Sequence, residues 1–152
     1  MGGDDCTLER VAAIKINVAI NKELLDARSV STVLDIVAKR LLDFNEVNLA
    51  TAFSRLAKLK GRHGPCVDSR DLRMRSLLEH ELSGLTLPHT NAKARHLANV
   101  SHAMASLSGT SSVLDPLFCQ VFDSLCRAAA AKVQDFNTQD LANTLSATML
   151  VA

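Results

Sequence analysis

The sequence predicts an all-α protein built from helical hairpins in tandem. Three observations carry that expectation: apolar bulk made of Leu, Ala and Val, a scarcity of chain breakers, and helices that resemble one another. Of the 152 residues 47% are hydrophobic but only 3% aromatic, with five Phe and no Trp or Tyr. Strands favour β-branched and aromatic side chains, whereas Leu and Ala favour packed helices. Six Gly and three Pro are too few to punctuate the many short strands of an all-β fold. A chain of this length holds one compact domain or about three or four units of a longer array.

The first helix is expected over Leu8–Leu25, with Val11, Ile14, Val18 and Leu25 on its buried side. A second covers Val30–Asp43, where Val33, Leu34, Val37, Ala38 and Leu41 follow the spacing of an apolar stripe. The third runs over Glu46–Lys60 with Leu49, Ala52, Phe53, Leu56 and Leu59 buried, and Gly61 stands where a helix C-terminus is expected. After a polar loop over Arg62–Val67, Asp68 or Ser69 can cap a fourth helix whose apolar positions are Leu72, Leu77, Leu78, Leu82 and Leu85. Pro88 breaks the chain before a fifth helix over Ala92–Leu107, stopped by Ser108-Gly109. The sixth runs over Asp115–Asp135 on Leu117, Val121, Leu125 and Cys126, and the seventh begins near Thr138 and runs to the last residue given.

Laid over one another without gaps, the third, fifth and seventh helices are self-similar, the signature of a repeat array. Leu49-Ala50-Thr51-Ala52, Leu97-Ala98-Asn99-Val100 and Leu141-Ala142-Asn143-Thr144 superpose at offsets of 48 and 44 residues. Just upstream, Asp43-Phe44-Asn45 recurs as Asp135-Phe136-Asn137. Asn45 and Asn137 can accept from amides at a helix start, and Asp140 can answer Asn137 as a short stand-in for a capping-box Glu. Phe44 and Phe136 precede the caps, where an apolar residue staples the entry angle of the chain. The pattern divides the chain into an N-terminal helix or partial repeat over 1–29 and repeats over 30–61, 62–109 and 110–152, the last truncated.

The strings Val33-Leu34-Asp35-Ile36-Val37-Ala38, Phe44-Asn45-Glu46-Val47-Asn48-Leu49-Ala50-Thr51-Ala52 and Phe136-Asn137-Thr138-Gln139-Asp140-Leu141-Ala142-Asn143-Thr144-Leu145 resemble the octotricopeptide-repeat proteins, which are related to the FAST-kinase and RAP-domain proteins. The resemblance runs from about Asn21 to the end; Ser146 and Thr148 depart from it, standing where the family commonly carries Trp and another aromatic. It implies a right-handed α-solenoid of antiparallel helix pairs, about three in number, that binds single-stranded RNA in a mitochondrion or chloroplast. The process served would be RNA processing, stability or translation, with other RNA-processing proteins as further candidate partners. No RAP-type module is visible in these residues.

A solenoid presents one helix of each pair on its concave side, where side chains can read an unstacked strand. Opposite the apolar stripe of the third helix, Asn48, Thr51, Arg55 and Lys58 form a polar line. Its equivalents are His96 and Asn99 in the fifth helix, with His102 beside them, and Asp140 and Asn143 in the seventh. Asn and Thr hydrogen-bond base edges, Arg and His stack on bases, and Arg55, Lys58, Lys60 and Arg62 can contact phosphates. These residues are the expected RNA-binding set.

Charge agrees with that expectation locally. The formal net charge is +1, yet residues 51–76 hold seven Lys or Arg against two Asp. Arg70, Arg73 and Arg75 belong to the other helix of their pair and are expected on a solvated face. A protein-interaction scaffold is the alternative, because helical arrays offer concave surfaces to any partner. Catalysis is not expected: no nucleophile elbow, Gly-rich phosphate loop or metal-ligand spacing is present. The four Cys form no CxxC pair, Cys119 and Cys126 read as small core residues of one helix face, and no metal or other cofactor is called for. No apolar run approaches the roughly 18 residues of a spanning helix, so no membrane is expected as a partner. The first residues lack both a myristoylation pattern and the basic, acid-poor character of an organelle leader. Oligomeric state is left open.

Overall fold

The computed structural model describes residues 3–60, 67–86, 92–108 and 115–151. Among them are seven α-helices and no strand: α1 (Gly3–Asp26), α2 (Val30–Arg40), α3 (Glu46–Leu59), α4 (Leu72–Leu85), α5 (Ala94–Ser108), α6 (Pro116–Ala131) and α7 (Thr138–Val151). The all-α expectation holds. Gly61, Pro88 and Gly109, read as helix stops, lie outside the described residues.

The odd-numbered helices pack side by side in the order α1, α3, α5, α7, and α2, α4 and α6 pack in order as a second row against them. Between the rows runs one apolar core, to which α3 gives Ala52, Phe53 and Leu56, α4 gives Met74, Leu77 and Leu78, and α5 gives Leu97, Val100 and Met104. Each Leu, Met or Phe buried in this way contributes roughly 1.5–3 kcal/mol against remaining in water.

Local chemistry starts the helices where the chain requires it. The Ser29 hydroxyl accepts from the Thr32 amide at 3.0 Å, and Lys39 and Arg40 stand in the last turn of α2, where cations suit the helix dipole. Between α2 and α3 the chain makes a 3-10 turn (Leu41–Asp43), Phe44 is extended, and Asn45 caps α3. The same sequence of events recurs between α6 and α7: a 3-10 turn (Val133–Asp135), an extended Phe136, then Asn137 accepting from the Asp140 amide at 2.8 Å. The twin turns anticipated from Asp-Phe-Asn are therefore twins in backbone conformation.

Several sequence expectations need correction. The buried side of α1 is not Val11, Ile14, Val18 and Leu25, which are all exposed, but Ile20 and Leu24, followed by Ala27. Apolar residues surround this helix, and packing against α2 and α3 selects the side that also carries Asn17, because Asn17 hydrogen-bonds across to α3. Asp71, not Asp68 or Ser69, caps α4; Asp68 spends its carboxylate on the Arg70 amide in the turn before it. Leu72, one residue past that cap, is exposed, as is Ala38 in α2. Cys119 is exposed and Cys126 half-buried, because α6 turns Phe118, Val121, Phe122 and Leu125 inward instead.

Candidate functional site

The polar line expected to face a ligand begins at the third residue of three odd helices: Asn48 in α3, His96 in α5 and Asp140 in α7. All three are buried, and each is committed to holding the fold. The Asn48 amide N–H donates to the Asn45 side chain at 2.9 Å while Asn48 Oδ1 accepts from the Asn45 amide at 3.1 Å, a reciprocal capping box. The same side chain reaches the preceding odd helix, with Nδ2 donating to the Asn17 carbonyl at 2.9 Å and Oδ1 accepting from Asn17 Nδ2 at 3.1 Å. Asp140 accepts from the Asn137 amide at 3.3 Å, as anticipated.

His96 is tied more firmly. Its Nδ1 lies 3.1 Å from the Glu46 carbonyl at the start of α3, and its Nε2 lies 2.8 Å from Glu81 Oε1 of α4, with Glu81 itself 2% exposed. Both ring nitrogens thus meet oxygen acceptors, an arrangement that suits an imidazolium carrying two protons. Burial disfavours that charge, but the hydrogen bond and charge of Glu81, aided by Glu46, outweigh it and hold the His96 pKa above the ordinary value. In the fold these three side chains therefore serve as structural ties.

Other members of the expected set come together. A cleft of about 570 Å³ between α3 and α5 is lined by Thr51, Arg55, Lys58, Asn99 and the edge of His96, with Val47, Ala50 and Ser54 from α3. Lys93 and Arg95 enter it from the start of α5, so four cations face one carboxylate, Glu46. Lys58, Lys93 and Arg95 make no ion pair among the described residues. Arg55 is partly committed, because its guanidinium donates to the Ala27 carbonyl just beyond α1. Its buried Nε has no hydrogen-bond partner among the described residues.

His102 is exposed and does not line this cleft. Asn143 is half-buried on α7, where its side-chain oxygen accepts from Gln139 Nε2 at 3.0 Å. Lys60 is half-buried just past α3 and outside the lining, and Arg62 lies outside the described residues. Between α5 and α7 a smaller cavity of about 400 Å³ sets Asp135 and Asp140 among Lys93, Arg95 and Lys132.

The basic block of the sequence divides in two. Arg70 pairs with Asp68, Arg75 with Asp115, and Arg73 with both Asp71 and Asp35, the last joining α4 to α2. Those arginines are neutralised within the fold, and among the described residues of the block Arg55 and Lys58 line the cleft. Sequence reasoning missed Lys93 and Arg95. The signal was present, since Arg95 stands one helical turn before Asn99 and so continues the same face. No family model and no solved structure matches this chain.

Proposed function

We propose that this chain is an octotricopeptide-like right-handed α-solenoid of antiparallel helix pairs, and that it binds single-stranded RNA in the cleft between α3 and α5. The observation that carries the proposal is the lining of that cleft: Arg55, Lys58, Lys93 and Arg95 against Glu46, with the hydrogen-bonding side chains of Thr51, Ser54 and Asn99 between them. Cations at the rim suit phosphates, and amide and hydroxyl groups suit base edges. The volume falls within the roughly 300–1,000 Å³ typical of small-ligand sites, which accommodates one or two unstacked nucleotides. Among the described residues no Phe lines it, so stacking falls to guanidinium planes, the His96 ring, and the apolar Val47 and Ala50. Action in a mitochondrion or chloroplast is part of the same proposal and rests on the sequence resemblance. A protein scaffold is the second reading, favoured by the exposed apolar residues of α1 and α7.

Fluorescence anisotropy with randomised single-stranded RNA, and with an RNA duplex as control, tests the site. Four neutralised phosphates give a slope of about −3 in log affinity against log salt. K58E together with R95E is expected to weaken binding at least tenfold and flatten that slope, while the helical circular dichroism is unchanged. A folded chain that ignores RNA, or that binds equally well with both substitutions, refutes the assignment.

A further inference from the structure

One carboxylate stands among the four cations of the cleft between α3 and α5, and its side chain is unspent. Glu46 is half-buried in the lining and makes no side-chain hydrogen bond or ion pair among the described residues. Its backbone is fixed, because the Glu46 carbonyl lies 3.1 Å from His96 Nδ1 and thereby joins the start of α3 to the start of α5. Glu46 therefore stands at the end of the cleft where Lys93 and Arg95 enter, whereas Arg55 and Lys58 lie roughly 14–18 Å further along α3.

Helix-start chemistry does not call for this carboxylate. An acidic side chain in the first turn suits the helix dipole, but the residues equivalent to Glu46 are Ala94 in α5 and Thr138 in α7, and both helices begin without a charge at that position. In a site for a polyanion an unpaired carboxylate opposes phosphate, so it suits the site only where it meets donors. A carboxylate accepts and never donates. On its Watson–Crick edge guanine presents an N1–H and an N2 amino group side by side, which match the two carboxylate oxygens. Adenine and cytosine each set one amino group beside a ring nitrogen that is itself an acceptor, and uracil sets one N–H between two carbonyls. Those three edges bring acceptor against acceptor.

We infer that Glu46 is the residue by which the cleft selects guanine, accepting from N1–H and the N2 amino group while Asn99 on the facing wall donates to O6. The inference rests on the RNA reading of the cleft and adds base selection to it. Phosphates stay with the cations at the rim, and an unstacked guanine enters edge first.

Fluorescence anisotropy on the whole chain, with a short oligouridine and its versions carrying one central guanosine, adenosine, cytidine or inosine, tests the selection. The wild type is expected to bind the guanosine oligonucleotide at least about fivefold more tightly than those with uridine, adenosine or cytidine at that place. Inosine keeps the N1–H but lacks the N2 amino group, and its oligonucleotide is expected to fall between. In Glu46→Gln the preference for guanosine is expected to shrink below about twofold, with the helical circular dichroism unchanged. Equal binding of all five oligonucleotides by the wild type, inosine bound as tightly as guanosine, or a preference that survives in the Gln variant overturns the inference and leaves RNA binding itself intact. A folded wild type that binds none of the five overturns both.

Discussion

Replacing Glu81 by Gln tests whether a charged His96 ties α3, α4 and α5 together. In the folded chain Glu81 Oε1 lies 2.8 Å from His96 Nε2, and the carbonyl of Glu46 takes the other ring nitrogen at 3.1 Å. Burial alone would lower the His96 pKa; Glu81 and Glu46 raise it above 6.5. A histidine whose folded pKa is raised contributes its full stabilisation below the unfolded pKa and loses it as pH climbs through the folded one. Wild-type stability should therefore fall with rising pH above about 6.5, at up to about 1.4 kcal/mol per pH unit for one proton. The Gln variant removes the opposing charge and leaves burial dominant, so the His96 contribution to that slope should vanish or reverse. A charge-assisted hydrogen bond is worth about 1.5–3 kcal/mol, which sets the expected loss near pH 6. Deleting the acceptor outright with Leu should cost more, about 3–5 kcal/mol, because a buried cation is stranded. Urea unfolding at intervals from pH 5.5 to 8.5 measures both quantities, and an NMR titration of the ring reads the pKa directly. A His96 pKa at or below 6.5 in the wild type, or a Gln variant with the wild-type slope, refutes the reasoning.

Two further outcomes follow from the same structure. Asn48→Ala removes the bond accepted from the Asn45 amide and the ties to Asn17 together, and should cost about 1–3 kcal/mol in urea unfolding; Asp140→Ala removes only the bond accepted from the Asn137 amide and should cost about 1 kcal/mol or less. Asp71 is held at a pKa of about 2, first by its hydrogen bond with Arg73, so its contribution is present above about pH 4 and is lost as pH falls towards 2. Because this pair is largely solvent-screened, Asp71→Asn should lower acid-side stability by less than about 1 kcal/mol, read as the difference in urea midpoints between pH 5 and pH 2.

Periodicity and turn chemistry were legible where a helix has one apolar stripe. In α3, Leu49, Ala52, Phe53 and Leu56 were all foreseen, as were Asn45 and Asn137 as caps. α1 was misread because its apolar residues surround the helix, so burial there is decided by which neighbour arrives, and that information lies in α2 and α3. The burial of Asn48 and His96 was not legible for a related reason. A polar residue in a short amphipathic helix reads as solvent-facing until the partner that satisfies it is known, and here the partners, Asn17 and Glu81, come from other helices. Lys93 and Arg95 went unnoticed because they sit at the entry to α5, before the stretch that carries the repeat similarity.

The three buried ties also determine where reading positions can stand if the row binds a strand. Third-residue side chains are spent on partners within the fold, so the next turn outward offers the freer reading positions. The next equivalent position in each unit is Thr51, Asn99 and Asn143, each half-buried and each able to hydrogen-bond. Two of them line the same cleft from opposite helices, with Lys58 and Arg95 beside them. Between α5 and α7 the counterpart cavity instead carries Asp135 and Asp140, and Lys132 reaches across to the Ala92 carbonyl at 2.7 Å. That cavity sets two carboxylates against three cations, whereas the cleft between α3 and α5 sets one carboxylate against four cations. On the proposed reading, RNA affinity is concentrated between α3 and α5, and substitutions at Asn143 should matter less to RNA binding than the same substitutions at Asn99.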